Sequence, residues 1–299
     1  MRRIAILLTV FNRKNKTLLC FDSLMDTYLK FCKYNKSVGI KIFITDDGCT
    51  DGTIEAILDR NYKFPIKILK GNGSLYWNGG MIKSWRAAID EGGFDGYLWL
   101  NDDTKILPSF WNELLETDIF SVNKVGKRGI YVGSTCDPKT KELTYGGFSF
   151  INKWTLKDCF VYPNGKDIVA CECAHGNITY VSKEVVEVMG VFCDKYLHGG
   201  GDHDYTYLAY KHGFPIWVMK SYVGECENDH HDKSNKYSSM SLKQRIAYLY
   251  SPFGYNLKNT LLFNKRCFPY RVPFVYMKGY LKALFPNLSQ YVYLLLRRL

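Results

Sequence analysis

Short acidic stretches carry the residue types from which a cation site is built. Asn101-Asp102-Asp103 ends the apolar run Tyr97-Leu98-Trp99-Leu100. Two adjacent carboxylates repel each other and cost solvation if buried, so a strand that stops in them reaches water or holds a cation. Asp46-Asp47-Gly48-Cys49-Thr50-Asp51-Gly52-Thr53 ends a second apolar run. A carboxylate there accepts hydrogen bonds from a ribose or a base N–H. Gly199-Gly200-Gly201-Asp202-His203-Asp204 places two carboxylates behind three glycines, which let backbone approach a ligand and let a loop move. His230-His231, beside a separate carboxylate cluster, makes a reasonable third metal contact. The competing structural readings are a solvated turn with Asp103 or Thr104 capping a helix from Pro108, Asp202 and Asp204 as N-caps, and a solvated His-His loop.

The elements that must position these groups follow from periodicity. Ile4 to Val10, Ile40 to Thr45, Ile66 to Leu69 and Tyr97 to Leu100 read as strands. A continuous apolar run marks a strand buried on both faces. Leu18, Phe21, Leu24, Met25 and Tyr28 recur at helical spacing, as do Met81, Ile82, Trp85 and Ala88. Alternation of strand and helix argues for a parallel sheet with crossover helices, whose turns share one edge. Asp46, Asp47, Asn72, Gly73, Asn101, Asp102 and Asp103 then face a common crevice. From Gly126 to Cys173 short β-rich pieces replace the alternation, and they are expected to extend the sheet on one side. A strand through Ile178-Thr179-Tyr180-Val181, helices from Lys183 and from Tyr205, and a strand from Phe214 to Met219 follow. No GxGxxG follows the first strand and no GxxxxGK[ST] occurs, which disfavours a dinucleotide fold and removes the P-loop reading.

The chain has 299 residues and a net charge of +11, enough to bury a full core. The charge is unevenly placed. Twelve Lys and Arg lie between Lys233 and Arg298, with no Asp or Glu after Asp232, so residues 1–232 are nearly neutral. A nucleic-acid protein spreads basic residues across its folded body, so no nucleic acid is expected. A basic, aromatic tail suits an anionic membrane surface. A helix pair packed on the body or on a second copy, as a homodimer, is the alternative. The ten cysteines are scattered without paired zinc spacing, which fits reduced, buried thiols in the cytoplasm. Arg2-Arg3 followed by Ile4 to Phe11 imitates a secretion signal, but no small-residue cleavage site follows. No apolar run reaches the roughly 18 residues of a membrane-spanning helix.

The stretches Thr9-Val10-Phe11-Asn12-Arg13, Asp46 to Thr53, Gly71-Asn72-Gly73-Ser74-Leu75-Tyr76-Trp77-Asn78-Gly79-Gly80, Leu98 to Thr104, and Gly201-Asp202-His203-Asp204-Tyr205 occur in this order. Together they resemble the family 2 glycosyltransferases of the GT-A fold, in particular bacterial enzymes of polysaccharide assembly such as rhamnosyl- and galactosyl-transferases of capsule or O-antigen. The resemblance covers residue 4 to about His231. It implies an α/β fold with a single Rossmann-like, nucleotide-binding mixed sheet flanked by helices. Residues 1–232 would form the catalytic domain, with a nucleotide-sugar half (1–125) and an acceptor half (126–232). Residues 233–299 would form a basic, aromatic, helical extension.

The resemblance also implies roles. Thr9, Phe11, Arg13, Asp46, Asp47, Asn72, Gly73, Asn78 and Asp102 would bind the nucleotide sugar, UDP- or dTDP-linked. Asp103 and His231 (or His230) would hold Mn²⁺ or Mg²⁺ on the diphosphate. Asp202 falls at the catalytic base. Trp77, His175, Asn177, His198, Gly200, Gly201 and Asp204 are expected on the acceptor side, toward a saccharide or a polyprenyl-linked oligosaccharide. Tyr76, Trp77, Trp154 and Tyr196 either stack on sugar rings or pack in the core. The chain departs from the family where Gly201 replaces a Glu, Leu208 an Arg, and Asn101 the first acid of the DxD element. The reaction implied is inverting transfer by single displacement at the inner face of the cell membrane. A metal-dependent nucleotide-sugar phosphohydrolase and an inactive sugar-binding protein are the other classes compatible with the same residues.

Overall fold

Gly96-Tyr97-Leu98-Trp99-Leu100 has no charged side chain, and all five residues are buried. In the computed structural model, which describes residues 2–228, 237, 239–251 and 254–286, this run is strand β4 of a ten-stranded sheet. The first strands are β1 (Arg2–Val10), β2 (Val38–Asp46), β3 (Ile66–Lys70) and β4 (Gly96–Leu100), with β5 at Lys105–Ile106. Then come β6 (Ile130–Cys136), β7 (Leu143–Tyr145), β8 (Gly147–Asn152), β9 (Lys157–Phe160), β10 (Val169–Ala170), β11 (Cys173–Ala174), β12 (Ile178–Ser182) and β13 (Ile216–Glu225). The sheet order is β10-β13-β6-β12-β4-β1-β2-β3, with β5 on β13 and β7 on β6.

Strands β3, β2, β1 and β4 are mutually parallel. They are joined by helices α1 (Lys14–Tyr34), α2 (Thr53–Asp59) and α3 (Tyr76–Glu91), the expected crossover pattern. Beyond β4 the direction reverses. Strand β12 runs antiparallel to both β4 and β6, so the sheet is mixed. Helices α4 (Phe110–Val125), α5 (Lys183–Met189) and α6 (Gly201–Lys211) complete this part. The β-rich pieces between Gly126 and Cys173 do two things rather than one. Strands β6, β7 and β10 widen the main sheet, whereas β11, β8 and β9 form a separate three-stranded sheet. Trp154 lies in the turn before β9.

Two apolar clusters sandwich the sheet. One gathers Ile6, Leu8, Leu24, Ile42, Leu98 and Trp111. The other gathers Leu7, Trp85, Trp99, Phe192 and Tyr205. In the second, Trp99 of β4 lies 4.5 Å from Phe192 and 5.4 Å from Tyr205 of α6, centroid to centroid, and Trp85 of α3 lies 5.3 Å from Trp99. Removing one such ring to Ala costs about 3–5 kcal/mol. The cluster ties the start of α6 to the end of β4, which is the relationship the site needs.

The chain divides into two compact units, residues 1–194 with 201–227, and residues 195–200 with 228–299. The second holds helices α7 (Leu242–Tyr250), α8 (Leu257–Cys267) and α9 (Val272–Leu284). Ser241 and Gln244 make a reciprocal capping box for α7, satisfying two N–H groups that a helix start leaves open. Leu249, Leu257, Val275 and Ala283 form the small core of this unit. The segment Lys195–Gly200, with the first two glycines of the Gly-Gly-Gly-Asp run, belongs here too: Asn259 Nδ2 donates to the carbonyls of His198 and Gly199, each at 3.1 Å. Among the described residues, no disulfide joins the cysteines, and no helix is long and apolar enough to cross a membrane.

Candidate active site

Where β4 runs out of apolar residues, its last groups are held from several directions. Asn101 N–H donates to the carbonyl of Asn177, 3.0 Å away, just before β12. Asn101 Oδ1 accepts from Trp77 Nε1 at 2.8 Å. Asp102 is buried, with Oδ2 accepting from Thr17 Oγ1 at 3.1 Å and Oδ1 from Arg13 Nη1 at 3.2 Å. The same Nη1 stands 2.7 Å from Asp103 Oδ2. Burial pushes the Asp102 carboxyl up to about 6, against the downward pull of Arg13 and with a further rise from Asp103. Asp103 Oδ1 lies 3.8 Å from the Cys226 thiol.

This is not a helix cap. Strand β5 intervenes, α4 starts at Phe110, and its N-cap Ser109 makes no side-chain cap bond. The capping reading of Asp103 and Thr104 is therefore set aside.

The turns after β1, β2 and β3 are knitted together beside it. Asn12 Oδ1 accepts from Thr50 N–H at 2.7 Å, and Asp51 Oδ2 accepts from Lys14 N–H at 2.9 Å. Asp46 Oδ1 accepts from the N–H groups of Gly48 and Cys49. Asp47 is buried and accepts from Gly73, Leu75 and Tyr76 N–H at 2.9–3.0 Å. Asp47 thus organises the turn that carries Asn72, whose Oδ1 accepts from Ser74 N–H at 3.0 Å. Thr9 packs against α3 at Gly80. Phe11 stays open at 53% exposure. A depression of about 470 Å³, lined by Asn12, Arg13, Lys14, Asn15, Lys16 and Asp51, opens here. Its basic rim suits an anionic ligand.

Asp202 comes to the same end of the sheet. Helix α6 begins at Gly201, four residues before the expected start, so Asp202 and Asp204 sit in its first turn. Asp202 Oδ2 accepts from Gly176 N–H at 2.9 Å, and Oδ1 from His203 N–H at 2.9 Å. His203 Nε2 lies 4.0 Å from Oδ2. Two glycines make this approach feasible. A Cβ on Gly176 would lie 2.8 Å from the Trp77 ring and 3.4 Å from Asp202 Cβ. A Cβ on Gly201 would lie 2.0 Å from Asn78 Oδ1. Asn101, Trp77, Gly176 and Asp202 are therefore a run of direct neighbours, and Asp103 stands two residues beyond Asn101 in the chain.

The expected residues fall into groups. Arg13, Asp102 and Asp103 converge, and so do Trp77, Asn78, Gly201 and Asp202. Asn177 is buried, its Nδ2 3.7 Å from the Cys226 sulfur. His175 Nδ1 lies 3.0 Å from the Gly146 carbonyl, within a ring cluster of Tyr145, Phe148, Phe160 and His203. Asp204 is buried on α6. His198 and Gly200 belong to the second unit. His230 and His231 lie outside the described residues. Thr17 and Cys226 were not expected in the site. Thr17 stands one helical turn after Arg13, a spacing that would have shown it once Arg13 was placed.

No family model and no curated protein sequence matches the chain. Solved structures do. The crystal structure of S. aureus TarS 1–349 in complex with UDP-GlcNAc matches with a TM-score of 0.55 at 12% identity, over 95% of this chain and 80% of that one. The same protein in complex with UDP gives 0.53 at 12%, over 89% and 70%. GalNAc-T7 with UDP, GalNAc and Mn²⁺ gives 0.52 at 12%, over 76% and 44%. The fold is GT-A. The GT-A sheet explains why the acidic turns share an edge.

A divalent cation fits the residues at that edge. The donors are hard carboxylate oxygens, bridged in this structure by the Arg13 guanidinium. Among the described residues no group of three or more His, Cys, Asp or Glu is arranged to hold a metal. Mg²⁺-type ions take one or two carboxylates and complete their shell with substrate phosphates and water.

Proposed function

We propose that the chain is an inverting glycosyltransferase. It moves a sugar from a UDP- or dTDP-linked donor to a saccharide acceptor, a polyprenyl-linked oligosaccharide in bacterial cell-surface polysaccharide assembly, on the cytoplasmic side of the membrane. The observation that carries the reading is the connection of Asn101, in the same turn as Asp103, to Asp202 through Trp77 and Gly176 at one end of the sheet.

Phe11 and the turns at Asn12 and Asp46 receive the nucleoside. Arg13 and Lys14 face its diphosphate. Asp103, with Asp102 beside it, would hold Mn²⁺ or Mg²⁺, which when bound neutralises charge on the departing diphosphate. Trp77 and Asn78 position the sugar. The acceptor hydroxyl oxygen attacks the anomeric carbon, and Asp202 takes its proton. The carbon–oxygen bond to the diphosphate breaks on the opposite face, so the nucleoside diphosphate leaves and the anomeric configuration inverts. Holding donor and acceptor in line supplies much of the rate. Gly201 in place of a family Glu is accounted for by the contact with Asn78, without loss of the base that follows.

The test follows donor consumption with and without acceptor over a panel of UDP- and dTDP-sugars. Release of nucleoside diphosphate that depends on acceptor, with a new glycoside formed, is the expected result. Acceptor-independent release of nucleoside monophosphate and sugar phosphate would identify a phosphohydrolase. Binding without turnover would identify a sugar-binding protein.

A further inference from the structure

Helix α9 is apolar on two opposite sides. Val275 and Ala283 are buried in the small core with Leu249 of α7 and Leu257 of α8. Phe274, Met277, Leu281 and Leu284 are spaced by three and four residues and are each 43–53% exposed. At 3.6 residues per turn they form a stripe roughly 80° wide, facing away from that core. Tyr270 and Phe285 prolong the stripe at both ends and are similarly exposed. A contiguous exposed apolar stripe of this kind marks an interaction surface rather than ordinary scattered exposure.

The charge around it selects the cover. Lys258, Lys265 and Arg266 of α8 and Lys278 of α9 are exposed. From Lys233 onward the sequence carries twelve basic residues and no acid. A second copy of the chain would bring the same uncompensated positive charge to the contact, which opposes pairing. Nucleic acid would answer the charge but offers no apolar phase to receive Met277, Leu281 and Leu284. An anionic bilayer answers both. Its headgroups take the Lys and Arg, its acyl boundary takes the leucine and methionine side chains, and Tyr and Phe settle at the level between.

We infer that the outer face of α9 docks on an anionic lipid bilayer, lying in the interface rather than crossing it. The docking is separate from sugar transfer, since none of its residues belongs to the donor or base groups. Failure of one therefore leaves the other standing.

The full chain is floated with vesicles of phosphatidylglycerol in phosphatidylcholine, and with phosphatidylcholine alone. Binding to the anionic vesicles, weakened by salt and absent on the neutral ones, is expected. Replacing Met277→Glu and Leu281→Glu together should lower the partition coefficient at least tenfold, roughly, by removing two anchors and adding two repelled charges. Phe274→Ser with Leu284→Ser should lower it without altering charge. Circular dichroism and donor turnover should be unchanged in both. No flotation of the native chain, or equal flotation of both variants, would overturn the inference. So would a concentration-dependent dimer, in sedimentation, that the same substitutions dissolve while no vesicle binding is seen.

Discussion

Arg13 Nη1 stands 2.7 Å from Asp103 Oδ2 and 3.2 Å from Asp102 Oδ1, so one guanidinium closes a pair of acids set 89 and 90 residues away. Asp102 is almost fully buried, while the Arg13 side chain is 44% exposed. Arg13→Ala should cost about 1–2 kcal/mol in urea unfolding, less than for a fully buried pair because solvent screens the arginine. Without the arginine, Mn²⁺ should raise the melting temperature more than it does for the native chain. Unchanged urea midpoints would mean that the bridge carries no weight.

Gly201 is fixed by sterics, not by backbone angle. Its missing Cβ leaves room for Asn78 Oδ1, which would otherwise lie 2.0 Å away. Gly201→Ala should destabilise by about 1–3 kcal/mol, the usual cost of overpacking. Combined with Asn78→Gly, the loss should be smaller than the two single losses added, because the clash is shared. Strict additivity in that cycle would place the two residues apart.

Trp77 links the end of β4 to the base through its indole N–H on Asn101 Oδ1. Trp77→Phe keeps a ring against Gly176 but leaves the amide oxygen unmatched. Stability should fall by about 1 kcal/mol, and turnover should fall more than donor affinity. A change in donor affinity alone would assign Trp77 to nucleotide binding instead.

Lys282 supplies a pH signature in the second unit. Burial, followed by repulsion from Lys278, lowers it to about 8, although its Nζ lies 3.4 Å from the Tyr255 ring centroid. The folded value lies below the unfolded one of about 10.4, so the folded chain binds fewer protons between those limits, and stability rises with pH across that window. Lys282→Met should remove that rise and be the more stable form at neutral pH. Urea midpoints at neutral pH and near pH 10 for both chains decide it, and parallel curves would contradict the shift.

How far the sequence disclosed all this depends on the range of the interactions. β4 was readable because the four apolar residues Tyr97 to Leu100 run without a break, as in a strand buried on both faces, and the stop at Asn101 followed from solvation. The parallel half of the sheet was readable from the alternation of strand and helix, and the GT-A fold from the family resemblance; the order of the strands was not read. The start of α6 was not. Three glycines look like a loop, yet Gly201 opens the helix because Asn78, far earlier in the chain, needs its space. The bridge from Arg13 to Asp102 and Asp103 was equally hidden, since it depends on how α1 leaves β1 relative to the end of β4. Residues Lys195 to Gly200 could not be assigned to the second unit from local pattern, because the side chains that bond the His198 and Gly199 carbonyls, Asn256 and Asn259, lie 58 to 61 residues later.

The central claim is that Asp202 removes the acceptor proton at a site shared with Asp103. The most direct measurement is the single-turnover transfer rate of Asp202→Asn, alongside its affinity for the nucleotide sugar. A fall of roughly 10²–10⁴ in rate is expected, with donor affinity unchanged and the fold intact. Near-normal transfer by a folded Asp202→Asn chain would contradict it.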